Sequence, residues 1–159
     1  MLNVNIICVG SLKEKFFTDA VSEYTKRLSR YCKFNVIELS EEKIADKATD
    51  SQIENTLKKE GEKILSKVGK GDYVVAMCIE GKIISSEDLA SKLNDISMSS
   101  GSVDFIIGGS WGLSDEVKRR ADFKLSVSKM TFPHQLFRVM LCEQIYRAFS
   151  INANAKYHK

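Results

Sequence analysis

Two stretches near the C-terminal end of the chain carry the residues best suited to chemistry. The first is Gly108-Gly109-Ser110-Trp111-Gly112, the second Ser128-Lys129-Met130-Thr131-Phe132-Pro133, followed by His134. Glycines can serve a tight turn or let a ligand approach the backbone closely. Two such loops together offer N–H and C=O groups between apolar walls, which suits an adenine and its ribose better than a triphosphate. His134 stands beside this candidate cleft, and the other histidine, His158, lies in the last residues of the chain. Arg138 and Arg147 are placed to meet phosphate or to pair with acids. Glu143 is a base or a helix-surface carboxylate. Tyr157, between Lys156 and His158, is an aromatic in a basic tail, able to stack on a nucleobase.

The charge distribution supports an anionic partner. The net charge is only +3. Residues 118–159 hold nine Lys/Arg against two Asp/Glu, a balance of +7, while residues 1–117 hold 15 against 19, a balance of −4. A basic end on an acidic body points to nucleic acid met by the C-terminal quarter, or to a solvated helix face.

Other chemistries drop out. No G-x-G-x-x-G follows the first apolar run and no G-x-x-x-x-G-K-[ST] occurs, which excludes a dinucleotide fingerprint and a P-loop. Met77-Cys78-Ile79 lacks the strand-end aspartate of a response regulator. Four cysteines (Cys8, Cys32, Cys78, Cys142) without C-x-x-C spacing read as buried free thiols, not as a metal site or disulfides. No apolar run approaches a membrane span and no signal-peptide pattern opens the chain, so a cytoplasmic protein is expected.

The elements that must position these residues alternate. Residues 2–9 read as a strand, Phe16 to about Tyr31 as an amphipathic helix, and Phe34 to Leu39 as a second strand. A charged loop covers 40–49, and Ser51 with Glu54 predicts a capping box for a helix striped by Ile53, Leu57, Ile64, Leu65 and Val68. Tyr73 to Ile79 is a central strand ended by Gly81, with a helix over Ser86–Ser97 and a strand over Val103–Ile107. A short helix at 114–121 and a fifth strand at Phe123–Val127 follow. Pro133 is placed in the first turn of a last helix that buries Leu136, Phe137, Met140, Leu141, Ile145 and Phe149. Asn152 to Lys159 form a polar tail. The whole, residues 1–159, is one α/β domain: three layers around a mostly parallel sheet of five to six strands. Ligands bind such sheets beyond the carboxyl ends of the strands, here Gly10-Ser11, Met77–Gly81, Gly108–Gly112 and Ser128–Phe132.

Several linked motifs resemble one family. Gly108-Gly-Ser-x-Gly-Leu113, Leu125-Ser-x-Ser-Lys-Met-Thr-Phe-Pro-His134, Arg138-Val, Glu143-Gln-x-Tyr-Arg-Ala148, the ending Tyr157-His158-Lys159 and the opening Val9-Gly-x-Leu-Lys-Glu-Lys15 resemble the ribosomal RNA large-subunit methyltransferase H family. Trp111 departs from it, standing where a smaller or polar residue is usual. The resemblance implies a SPOUT methyltransferase with a C-terminal trefoil knot, working as a homodimer without a metal. Its reaction would be methylation of N3 of a pseudouridine in large-subunit ribosomal RNA, on the assembled ribosome. By motif position, S-adenosylmethionine would be held by Met77, Gly108, Val127, Ser128, Lys129, Met130, Thr131 and Phe132. His134 would orient or deprotonate the base, with Arg147 stabilising negative charge or holding phosphate. Arg138, Tyr157, His158 and Lys159 would contact the RNA. A non-catalytic RNA- or ribosome-binding module on the same fold is the competing reading.

Overall fold

The computed structural model describes residues 1–159. Five strands form one sheet in the order β2-β1-β4-β3-β5, all parallel: β1 (Asn3–Val9), β2 (Lys33–Leu39), β3 (Tyr73–Ile83), β4 (Ser102–Ile107) and β5 (Phe123–Ser126). Five helices cross between them or follow: α1 (Lys15–Leu28), α2 (Asp50–Leu65), α3 (Ser86–Ser99), α4 (Asp115–Arg120) and α5 (His134–Asn152). The three-layer α/β reading stands.

Alternation along the strands builds two cores. Val4, Ile6 and Cys8 of β1, Val75 and Met77 of β3, and Val103, Phe105 and Ile107 of β4 join the larger core with residues of α1, α3 and α5. Their neighbours Ile7, Val9, Val74, Ala76 and Ile106 face the other way, onto Ile64 of α2 and Val117 of α4. A strand covered on both faces must be apolar at nearly every position, which is why Tyr73–Ile79 shows no polar alternation. Since every strand runs the same way, every carboxyl end reaches the same edge of the sheet.

Three local details differ from the sequence reading. The capping box of α2 is Thr49 with Gln52, two residues before Ser51 and Glu54: Thr49 Oγ1 accepts from Gln52 N–H (3.2 Å) and Gln52 Oε1 from Thr49 N–H (2.9 Å). Both pairs fit the pattern, and the one flanking the first helical residue wins. On α5, Leu136 is exposed while Arg138, Cys142, Ala148 and Ser150 join the buried face. Pro133 sits at the N-cap, one residue before the first turn.

Gly81 does not end β3. The strand continues to Ile83, and Met77 and Lys82 both pair with Leu125, so the residues between them swing out of the ladder and return. A Cβ on Gly81 would lie 2.5 Å from the Leu125 carbonyl carbon. Glycine is required here for close approach of β5, not as a breaker.

At the opposite end of the sheet, Asn35, Asn5 and Asp104 are register neighbours across β2, β1 and β4. Asn35 donates to Asn5 Oδ1 (3.0 Å) and Asn5 donates to Asp104 Oδ1 (2.8 Å), leaving Asp104 Oδ2 buried without a partner. Burial pushes the Asp104 carboxyl from 3.8 to about 6, and nearby Asp72 adds to the shift. The folded protein therefore binds more protons than the unfolded chain between about pH 4 and 6. Stability falls as pH rises through that window and levels off above it. Asp104→Asn keeps the acceptor for Asn5 and offers N–H to Asp72. It is expected to remove this slope and add about 2 kcal/mol at pH 7, read by denaturant unfolding at pH 4, 6 and 7.

Candidate active site

A cleft of about 460 Å³ opens beyond the carboxyl ends of β3, β4 and β5. Its apolar walls come from Met77, Ile107, Leu113, Leu125, Val127, Phe132 and Phe137. One charged pair marks its rim, Lys118 with Glu80 at 2.5 Å. The Lys118 ammonium holds the Glu80 carboxyl below its usual range, and Glu80 raises Lys118 in turn.

Each wall has a local reason. After β4 the chain turns back so that Gly109 and Gly112 form an antiparallel bridge, with Gly112 N–H donating to the Gly109 carbonyl (3.0 Å). A Cβ on Gly108 would stand 2.3 Å from the Gly112 carbonyl oxygen, so this turn accepts no side chain there. After β5, the Ser126 hydroxyl donates to the Ser128 carbonyl (3.0 Å) and Ser128 Oγ accepts from Met130 N–H (3.0 Å). These two bonds shape the loop up to Pro133, which starts α5 without any side-chain cap. His134 follows, lining the cleft.

Of the residues expected around a cofactor, Met77, Gly108, Val127, Ser128, Met130, Thr131 and Phe132 line the cleft, and Lys129, exposed, does not. Cys78 lines it too, half-buried where a buried thiol was expected; burial still raises its pKa. Ile107, Lys118 and Phe137 also contribute, and no sequence motif marked them. The cleft fits S-adenosylmethionine in character. Its walls are largely apolar, with the Gly108–Gly112 and Val127–Phe132 segments along its edges and a glycine where a Cβ would crowd the turn.

The remaining candidates gather elsewhere. Arg147 makes two bonds to Glu143 and one, at 3.2 Å, to His158 Nδ1. His158 Nε2 lies 2.8 Å from Glu87, so Nδ1 accepts and the ring proton sits on Nε2, donated to Glu87. The Tyr157 hydroxyl donates to Glu143 (3.1 Å), its ring lies under the Arg147 guanidinium at 4.9 Å, and it meets Tyr146 edge-on. The tail is thus docked through Tyr157 and His158, while Lys159 is exposed. Thirteen residues separate His134 from Arg147 on one straight helix, roughly 20 Å, so one copy of the chain does not bring them to a common atom.

Arg138 has a different place from the one expected at an RNA surface. It is 3% exposed, donating to Glu38 (2.6 Å) and to the Gly10 carbonyl (3.1 Å). Glu38 also accepts from Leu12 N–H, and Gln135 accepts from Lys13 N–H. The loop after β1 is thereby tied to the first turns of α5.

Comparison with known proteins agrees with this geometry. The family model described as "Predicted SPOUT methyltransferase" matches residues 2–158. A solved structure of a probable methylase family protein from Haemophilus influenzae Rd KW20 superposes with a TM-score of 0.54 at 13% identity, covering 98% of this chain and 70% of that one, a likeness of fold. Proteins named ribosomal RNA large subunit methyltransferase H are 54% identical in Clostridium acetobutylicum and 49% in Clostridioides difficile, each over 99% of this chain and 100% of the relative. The chain belongs to the SPOUT methyltransferases and, among them, to the ribosomal RNA large-subunit methyltransferase H family.

Two substitutions separate loop shape from fold. Gly108→Ala is expected to displace the 108–112 turn, changing Trp111 fluorescence while far-ultraviolet circular dichroism stays unchanged. Arg138→Ala strands Glu38 and the Gly10 carbonyl and is expected to cost about 3 kcal/mol in denaturant unfolding.

Proposed function

We propose that the protein transfers a methyl group from S-adenosylmethionine to N3 of a pseudouridine in large-subunit ribosomal RNA, acting on assembled ribosomes in the cytoplasm. The observation that carries this reading is the convergence of three strand ends on an apolar, glycine-lined cleft with His134 in its lining, in a chain whose last 42 residues carry a +7 balance. The proteins named ribosomal RNA large subunit methyltransferase H that match over their whole length support the RNA substrate.

The cofactor supplies a methyl group already activated on sulfonium, so the protein's task is alignment. Met77, Gly108 and the Val127–Phe132 segment would hold it, with Ile107, Leu125 and Phe137 supplying apolar wall. The proton on N3 must leave as the methyl arrives. His134 lines the cleft and is the side chain placed to orient the base or accept that proton.

A homodimer completes the site in this proposal. Arg147, Tyr157 and His158 lie about 20 Å along α5 from His134, so their contribution to the same nucleotide would come from the partner subunit. Ile79 (81% exposed), Met130 (74%) and Leu136 leave apolar surface for that partner around the cleft. The excursion of β3 around Leu125 and the loop between β5 and α5 are the segments in which the trefoil knot of the family would lie.

Ribosomes lacking the modification, incubated with the protein and methyl-labelled S-adenosylmethionine, are expected to gain label at N3 of one pseudouridine, with protein-free ribosomal RNA left unlabelled. Binding to ribosomes with no transfer of label would replace this reading with a non-catalytic binding module. His134→Ala is expected to lower turnover by roughly 100-fold with cofactor affinity changed less than twofold; unchanged turnover removes its assigned role.

A further inference from the structure

Beside the cofactor cleft lies a second cavity, of about 890 Å³, beyond the carboxyl ends of β1 and β2. Gly109, Ser110, Trp111 and His134 line both, so one thin wall divides them. The cavity sits outside β1 and β4, where crossovers leave toward opposite edges of the sheet, the crevice in which open α/β sheets receive ligands. At its floor Arg138, 3% exposed, has a buried Nε without a partner. The rest of its lining is mostly polar, with four carboxylates, Glu38, Glu41, Glu42 and Asp46, against Lys13, Lys43 and Arg138.

Such a lining, with one more carboxylate than cation, favours a group that brings hydrogen-bond donors. Two of the carboxylates are already engaged. Glu38 accepts from Arg138 and from Leu12 N–H, and Glu42 pairs with Lys63 at 2.7 Å. Asp46 lies in the exposed turn of the 40–49 loop. Glu41 differs from all three. Its Oε1 accepts from the Ser110 hydroxyl at 3.0 Å, which fastens it to the shared wall, and its second oxygen has no partner.

The geometry points to this cavity as the seat of the target nucleotide, with the free oxygen of Glu41 accepting the N1–H of pseudouridine. The inference rests on the methyl-transfer reading above. Pseudouridine is joined to ribose through carbon, so N1–H and N3–H flank the same C2 carbonyl at the edge remote from the sugar. In uridine N1 is the glycosidic atom and carries no proton. A base entering with that edge first presents N3 toward the wall shared with the cofactor cleft and N1–H to an acceptor beside it. Lys13 and Lys43 are left for phosphates of the flanking nucleotides. A site built to bond an N–H discriminates against the analogue that lacks it, because its acceptor is left unpaired.

Glu41 is exposed, so its truncation leaves the fold intact, checked by an unchanged unfolding midpoint and cofactor affinity. The test compares methyl transfer to ribosomes carrying pseudouridine or uridine at the target position. For Glu41→Ala the rate on pseudouridine is expected to fall about 10- to 100-fold while the slow rate on uridine stays the same, so the preference collapses. An unchanged preference, or an equal loss on both, overturns the inference. A second measurement does not depend on turnover. Trp111 is the only tryptophan of the chain and lines the cavity, so with the cofactor cleft saturated by S-adenosylhomocysteine its fluorescence reports occupancy by added nucleosides. Pseudouridine is expected to quench at lower concentration than uridine in the native protein and equally with it in Glu41→Ala. Equal quenching in the native protein overturns the seat assigned here even if ribosomes are methylated. Absence of all transfer alongside selective quenching strikes at the methyl-transfer reading instead.

Discussion

Much of the structure hangs on Leu125 pairing twice with the same strand. Because Met77 and Lys82 both face it, β3 has to leave the ladder and rejoin it, and only a glycine at 81 lets the two backbones come this close. The excursion puts Cys78, Ile79 and Glu80 on one side of a cleft whose other sides are the turn after β4 and the loop after β5. Three loops that are far apart in the chain thus share one edge. A sheet with strands of mixed direction would divide them between two edges.

A buried charged group stands at each end of this sheet, and the two do different things. At the carboxyl end, Arg138 donates to one acceptor on the loop after β1 and one on β2, so the guanidinium joins the start of α5 to the first half of the fold. Each partner there is charged or is a main-chain carbonyl, which makes the contact directional as well as strong. At the amino end, Asp104 has one good bond and one bare oxygen, and it faces another carboxylate. The first arrangement fixes the geometry of the site. The second weakens the fold at neutral pH and has no part in the cleft.

The fold was legible because periodicity is a strong signal when both faces of a sheet are covered. Ile6 to Val9 and Tyr73 to Met77 are apolar without a break, and the helices between them repeat at three and four residues. The loops of the cofactor cleft were legible from glycine and serine placement and from the rule that ligands sit at strand carboxyl ends. The end of β2 gave no such signal: Ser40 to Glu42 read as the start of a charged loop, yet with Leu39 they line the second cavity. Arg138 was misplaced for a related reason. An arginine four residues into a helix looks solvent-facing unless its partner is known, and Glu38 lies one hundred residues earlier. The docking of Tyr157 was equally out of reach, since composition alone makes Asn152 to Lys159 a loose polar end.

Helix α5 is also a ruler. It carries His134 at one end and Arg147, close to the Tyr157 and His158 cluster, near the other, with Leu141, Cys142, Ile145 and Ala148 fixing it against the sheet between them. A single residue inserted or lost along its middle would turn everything beyond by about 100° and shift it by 1.5 Å. The number of residues between its two ends is not free, because it sets both the distance and the bearing of Arg147 relative to His134, and with them the place a second copy would take in the proposed dimer.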